Sequence, residues 1–269
     1  LWVRFVSSES INILLTAGGG MPPDLAAVVG THKRCLIELK GETLLERILS
    51  VIFKAFTSAR VVVNLGSDDE GADIVSRYEP NATHYVCGGG LLDAIMDGLD
   101  VFAGERGDGF YGEEMLLLNV DLPLITAQHL LDVVAQAREF RADGYWPIVE
   151  RKAIEQRFPT AKRTYVRTRQ GTFTGGNAFL LKPKLLRDNR ELLEKVYRSR
   201  KNPLALASVF SSKTLMRVLS GTVSLPDLER EFSKRFNADL CIAPFPHPEV
   251  AMDLDKLSDF ELYKSLIAD

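Results

Sequence analysis

The residues of this chain that could act on phosphates and metal ions sit where short apolar runs end in glycine or aspartate. The run Ile11–Thr16 delivers Thr16, Ala17, Gly18, Gly19 and Gly20. Backbone N–H groups of glycines can approach phosphate oxygens closely and form a concave anion nest. Taken alone, the run is equally a flexible strand-to-loop turn, because neither G-x-G-x-x-G nor G-x-x-x-x-G-K-[ST] is present. A second glycine turn, Gly88, Gly89 and Gly90, precedes a helical pattern, where amides at a helix start could cradle a base or a phosphate. Met115–Val120 ends in Asp121, followed by Leu122 and Pro123. A carboxylate buried at a strand end is costly without a partner. Magnesium held on phosphates is the partner this position suggests, and a cap for the following turn is the plain alternative.

Two more groups belong to this inventory. Asp253 and Asp255 lie two apart on an extended segment, share a face, and could point at one ion. An acidic helix start suits Asp259 better than either of them. The cations Arg151, Lys152, Arg157, Lys162, Arg163, Arg167 and Arg169 precede the turn Gly175, Gly176, Asn177. Such a run is commonly a solvated face, but Arg forks between a sheet and a lid also suit an anionic acceptor. His84, His129 and His247 show no ligand spacing and read as packing or surface residues. Cys35, Cys87 and Cys241 are scattered, with neither a metal-type nor a disulfide pattern, which fits a reducing cytoplasm.

Positioning these groups falls to an alternation of strands and helices. Ile11–Thr16, Ala59–Leu65, Thr83–Cys87, Met115–Val120 and Tyr145–Val149 are short, apolar and bounded by Gly, Asp or Pro, as strands covered on both faces are. Thr43 and Glu46 form a capping box before a helix that buries Leu45, Ile48, Leu49, Ile52, Phe53 and Phe56. Further helices are expected over Leu91–Phe102 and after Thr126. The rhythm predicts an α/β fold with a largely parallel sheet, whose ligands lie outside the carboxyl ends of the strands. Arg151–Arg169 is poorly periodic, and a new strand is expected over Asn177–Leu181. Residues 183–236 read as a helical insertion or lid with breaks near Asn202–Pro203 and Gly221. A strand over Leu240–Phe245 and a helix capped by Ser258 and Glu261 close the chain. The 269 residues are expected to form one such unit, with residues 1–10 a leader or short edge strand. A net charge of −3 argues against a nucleic-acid or membrane-surface binder, and no apolar run is long enough to cross a bilayer.

The order of these features carries a resemblance. A strand ending in L-x-A-G-x-G, a loop, Lys33, a short apolar strand, Gly41 and an amphipathic helix are similar to the nucleotidyltransferases. More narrowly, the chain resembles the MobA-like group, which includes molybdenum-cofactor guanylyltransferases and many sugar-phosphate nucleotidyltransferases. The resemblance implies a Rossmann-like (GT-A-type) mixed, mostly parallel sheet sandwiched by helices. It implies that Gly18, Gly19 and Gly20 wrap a nucleoside triphosphate that Lys33 neutralises. Asp121, in the D-x-P-[LF] pattern, and Asp255, in the closing D-x-D segment, fall on the family's magnesium ligands, with Asp253 beside them. The Gly88–Gly90 region would read the nucleobase, and Gly175, Gly176 and Asn177 the acceptor's hydroxyls; Lys162 and Arg163, from the cation run before them, are the candidates for its phosphate. The chain departs from the pattern at Met21-Pro22-Pro23, where the family has an Arg, and at His32, where it has a Pro; Arg34 is the nearby cation that could substitute.

The implied activity is magnesium-dependent transfer of a nucleoside monophosphate to a small phosphorylated acceptor with release of pyrophosphate, by a cytoplasmic monomer or homodimer. A GT-A-type glycosyltransferase that consumes a nucleotide sugar and a non-catalytic nucleotide-binding protein are the alternatives.

Overall fold

The computed structural model describes residues 10–199 and 211–267. The expected leader or edge strand over residues 1–10, Ser10 apart, and the break at Asn202–Pro203 lie outside them. The first half runs β1 (Asn12–Thr16), α1 (Pro23–Val29), the hairpin β2 (Glu38–Leu39) and β3 (Glu42–Thr43), α2 (Leu44–Ala55), β4 (Arg60–Asn64), α3 (Ala72–Ser76), β5 (Ala82–Tyr85), α4 (Leu91–Arg106), β6 (Met115–Asn119) and α5 (Ala127–Phe140); the expected strands and helices are present, and α1, α3 and the hairpin add to them. Then follow β7 (Gly144–Glu150), α6 (Arg151–Arg157), β8 (Val166–Arg167), β9 (Thr172–Gly175) and β10 (Ala178–Leu181). Helices α7 (Pro183–Asp188), α8 (Arg190–Ser199), α9 (Ser212–Leu219) and α10 (Leu225–Phe236) precede β11 (Leu240–Pro244) and the closing α11 (Leu257–Leu266).

Among the described residues, nine strands form one mixed sheet in the order β5-β4-β1-β6-β10-β7-β9-β8, with β11 paired to β7. β5, β4, β1 and β6 run parallel, as do β7 and β11. β10 is antiparallel to both β6 and β7, so it welds two parallel halves together. The β9–β10 run changes its pairing at Gly176 and Asn177, whose amides go to the carbonyls of Pro147 and Val250. The Arg/Lys-rich stretch that reads as aperiodic holds the short α6 and β8.

Strand burial explains the near-continuous apolar runs. Ile13, Leu15, Val61, Val63, Leu116 and Leu118 face Leu45, Ile48 and Leu49 of α2 and Leu130, Val133 and Val134 of α5. Leu14, Val62, Met115 and Leu117 point to the other face, against Ile95, Leu99 and Phe102 of α4. Both faces of the central strands are therefore dry, which alternation with period two alone cannot achieve.

The expected cap of α2 is present: the Glu46 amide donates to Thr43 Oγ1 at 3.1 Å and the Thr43 amide to Glu46 Oε2 at 2.9 Å. The last helix differs from expectation. It starts at Leu257, and Asp259, rather than Ser258 and Glu261, holds its first turn by accepting the amides of Asp255 (3.1 Å) and Lys256 (3.0 Å). Among the described residues no helix is long and apolar enough to cross a membrane.

Candidate active site

The carboxyl ends of β1, β4 and β6 deliver three polar residues in register. Thr16 lies opposite Asn64 on one side and Asn119 on the other, and its hydroxyl donates to Asn119 Oδ1 at 2.8 Å. These residues floor a cavity of about 460 Å³ lined also by Gly18, Gly19, Gly20, Arg34, Gly66, Gly89, Gly90, Asp121 and Asp255. Its size is that of a small-molecule site, and it stands where open α/β sheets bind ligands.

The wall on the β1 side is shaped by two glycines from different strands. A Cβ on Gly18 would stand 2.5 Å from Gly66 Cα and Asn64 Oδ1. Gly66, at φ +87°, adopts a left-handed conformation that favours glycine. Two backbone bonds fix the crossing, Ala17 N–H to Asn64 O (2.9 Å) and Cys87 N–H to Gly66 O (2.7 Å). A Cβ on Gly19 or Gly20 would meet no atom within 4 Å. Gly18 is thus a packing requirement, whereas Gly19 and Gly20 present open backbone to the cavity. Ala17 is buried and spends its amide on β4. On the opposite wall Gly89 and Gly90 line the cavity and Gly88 does not. The Gly90 amide already donates to Asp93 Oδ2 at 3.0 Å, which caps α4.

Two acidic residues distant in sequence meet at the mouth. The Leu254 amide donates to the Asp121 carbonyl at 2.9 Å and ties the closing segment to the end of β6. Arg34 then bridges both carboxylates: Nη1 donates to Asp121 Oδ2 at 2.5 Å and to Asp255 Oδ1 at 2.7 Å, and Nη2 to the Gly20 carbonyl at 2.9 Å. Burial pulls the guanidinium's pKa down, yet Asp121 and Asp255 outweigh it and leave the net shift upward. Burial dominates at Asp121 and, aided by Asp255, raises its carboxyl against the opposing pull of Arg34. Asp121 Oδ1 is buried without a hydrogen-bond partner among the described residues.

Three expected site residues do other work. Lys33 turns away from the cavity, where its ammonium donates to the carbonyls of Leu65 (3.2 Å), Asp68 (3.1 Å) and Glu70 (3.3 Å) and pairs with the Asp68 carboxylate. It braces the loop after β4 while Arg34, its neighbour, enters the cavity. Asp253 does not line the cavity beside Asp255 but lies 3.6 Å from Arg163. Burial, helped by Asp255 and Asp121, raises its carboxyl despite that arginine. Arg163 is therefore no acceptor-facing cation. Its buried guanidinium donates to the Asp253 carbonyl (2.8 Å) and to the Tyr263 hydroxyl (2.6 Å), with Asp259 at 3.5 Å. Lys162 is exposed.

Gly175 and Gly176 pack tightly against Trp146 and against Pro147 and Val250. Asn177 reaches a second cavity of about 540 Å³, walled by Trp146, Phe179, Phe232 and several leucines. It adjoins the first through Leu91, Asn119 and Tyr197, which line both.

With this geometry in view, the sequence matches the MobA-like NTP transferase domain over residues 14–214. The chain belongs to the MobA-like NTP transferase family. A hypothetical transferase from Thermus thermophilus superposes with a TM-score of 0.76 at 29% identity, covering 93% of this chain and 99% of that one. The fold is shared with 4-diphosphocytidyl-2C-methyl-D-erythritol synthase from Anaerococcus prevotii (TM-score 0.57, 13% identity, 97% of each chain). It is also shared with CMP:2-keto-3-deoxy-manno-octonic acid synthetase complexed with CTP (TM-score 0.55, 12% identity, 96% and 98%). No curated protein matches the sequence. Within this MobA-like chain, Asn64, Gly66, Asn119 and Tyr197 are lining residues that motif reading missed. A signal existed for the first three: each is a polar residue or glycine closing an apolar strand run, as Thr16 does.

Proposed function

We propose that this MobA-like transferase moves a nucleoside monophosphate from a nucleoside triphosphate to a small acceptor, with release of pyrophosphate. The observation that carries the reading is the meeting of Asp121 and Asp255 at the mouth of a glycine-walled cavity, with Arg34 between them. Two convergent carboxylates, one buried with an oxygen that lacks a partner, have the chemistry of a hard divalent-cation site. Magnesium held by Asp121 and Asp255 would supply Lewis-acid polarisation of the phosphate oxygens. Asp253, hydrogen-bonded to Asp255 and 3.6 Å from Arg163, stands behind this pair and is the weaker candidate ligand.

The chain's own groups supply binding and alignment. The amides of Gly19 and Gly20 approach the phosphate tail, and Arg34, held between Asp121, Asp255 and the Gly20 carbonyl, is the cation placed to neutralise it. Gly89 and Gly90 form the wall along which the nucleoside lies. An acceptor oxygen attacks the α-phosphorus in line; the new P–O bond forms as the bond to pyrophosphate breaks. Positioning and charge neutralisation account for such chemistry without a side-chain nucleophile. The acceptor enters from the Asn119–Asn177 side, where the adjoining cavity is largely apolar. Arg163 is committed to Asp253 and Asp259 and is not part of its phosphate site, which leaves the exposed Lys162 as the candidate from that cation run.

The test is a pyrophosphate-release assay with each of the four triphosphates, magnesium, and pools of phosphorylated and amphiphilic acceptors. Release that requires acceptor and metal, and that falls by roughly 10²–10³-fold in Asp121→Ala, is the expected result. Release undiminished in Asp121→Ala would remove the metal assignment. Consumption of a nucleotide sugar without pyrophosphate would replace the reading with glycosyl transfer.

A further inference from the structure

The two histidines that sequence spacing leaves unconnected come together away from both cavities. His129 lies in the first turn of α5, and His247 and Glu249 lie in the turn after β11. The imidazole rings stack with centroids 4.6 Å apart and planes at 28°. Donor atoms of His129, His247 and Glu249 all fall within 4.8 Å of one another, and none of the three side chains is fully exposed. His129 Nε2 stands 4.0 Å from Glu249 Oε2. His247 Nε2 is 3.0 Å from Asp132 Oδ2, one turn further along α5.

We propose that His129, His247 and Glu249 bind a divalent transition-metal ion of the zinc class. Two neutral imidazoles and one carboxylate are a recurrent zinc donor set, with bonds of about 2.0–2.2 Å. Tetrahedral ligands at that range sit roughly 3.4 Å apart, so side-chain movement of about an ångström closes the present spacing. The Asp132 contact matches the carboxylate that orients a ligating imidazole through its second nitrogen; with Nε2–H held there, His247 offers Nδ1. Two contacts yield when the ion binds. Arg157, 3.4 Å from Glu249 and 65% exposed, swings into solvent. His129 Nδ1, which accepts the Thr126 amide at a long 3.3 Å, releases it. The role is structural: the ion staples α5 to the segment whose Val250 carbonyl accepts the Asn177 amide and which continues to Asp255. The proposal does not depend on the transferase reading.

Chelator-stripped full chain titrated with ZnCl₂ is expected to bind one ion. Asp132→Asn should weaken that binding by about 10–100-fold, and His129→Gln, His247→Gln and Glu249→Gln, which each remove a ligand, by more than that. Mg²⁺ in excess should not compete, which separates this site from Asp121 and Asp255. On unaltered protein, Zn²⁺ should shift the ring resonances of two of the four histidines, a readout that no folding defect confuses. Equal zinc affinity in the His129→Gln, His247→Gln double variant, resonance shifts at other histidines, or no binding would each overturn the assignment.

Discussion

Substituting alanine at Gly18, Gly19 and Gly20 one at a time separates the packing role of the glycine turn from its ligand role. At Gly18 the new methyl would lie 2.5 Å from Gly66 Cα and from Asn64 Oδ1, and 2.6 Å from the Gly66 nitrogen. Comfortable contact begins near 3.5 Å, so the β1 and β4 ends must part by roughly an ångström. Neither end is free to move, since Ala17 N–H is bonded to Asn64 O and Cys87 N–H to Gly66 O. Overpacking of this kind costs about 1–3 kcal/mol, a fall in Tm of roughly 2–12 °C for a chain of this size. Gly66→Ala should cost at least as much, because φ +87° adds backbone strain. Gly19→Ala and Gly20→Ala meet open space, so their stability should stay within about 0.5 kcal/mol of the unaltered protein. Their methyl groups instead stand where a phosphate must approach. Losing a hydrogen bond to a charged group, about 1.5–3 kcal/mol, weakens triphosphate binding roughly 10–100-fold. Urea unfolding reads the first effect, and calorimetric titration with nucleoside triphosphates the second. Unchanged stability in Gly18→Ala would refute the crossing. Unchanged triphosphate affinity in both Gly19→Ala and Gly20→Ala would refute the phosphate nest.

Arg34→Met strands the buried Asp121 carboxylate beside Asp255. Breaking a buried pair costs about 3–5 kcal/mol, and the lower end applies because Asp255 is about half exposed. Millimolar Mg²⁺ should recover part of the lost Tm; no recovery in a thermal-shift series would argue against a cation on these carboxylates. Arg163→Ala removes the buried anchor of Asp253 and Tyr263 and should lower the urea midpoint by about 3 kcal/mol equivalent, while Lys162→Ala leaves it within about 0.5 kcal/mol. Cys87 lines the cavity of about 460 Å³ proposed for the nucleotide and is partly exposed, whereas Cys35 and Cys241 are buried. One thiol should therefore react with a disulfide reagent in the native protein, and triphosphate should slow it; fast reaction of three would contradict the burial. Burial pushes the Cys35 thiol up from an ordinary 9.0 to about 11 and, with Glu229, Cys241 to about 12. Groups raised on folding contribute stability that is whole below pH 9 and is lost as pH climbs through those values. The urea midpoint should fall between pH 8.5 and about 11, and fall less in Cys35→Ala.

Local pattern was sufficient for much of the architecture. Strands buried on both faces must be apolar throughout, so β1, β4 and β6 announce themselves, and Thr43 with Glu46 marks the start of α2 because a capping box acts within one turn. Asp121 was legible for the same reason, as a charged residue closing an apolar strand, whereas Asp255 was legible only through its spacing from Asp253 and the resemblance of the closing D-x-D segment. Side-chain direction was not legible. Lys33 and Arg34 are adjacent cations, and which one enters the cavity depends on the loop 65–70, whose carbonyls capture the ammonium. Asp253 and Asp255 stay neighbours, their carboxyl groups hydrogen-bonded to each other, but Asp253 packs on the buried Arg163 while Asp255 lines the cavity with Asp121. The antiparallel β10 and the meeting of His129 with His247 and Glu249 arise from pairings between distant segments that no local period encodes. The sequence by itself determined which residues are buried and which strand ends carry glycine or aspartate, since both follow from the solvent each residue tolerates. Only the tertiary structure decided which of those ends touch, because contact is set by sheet order and by competing buried partners rather than by spacing along the chain.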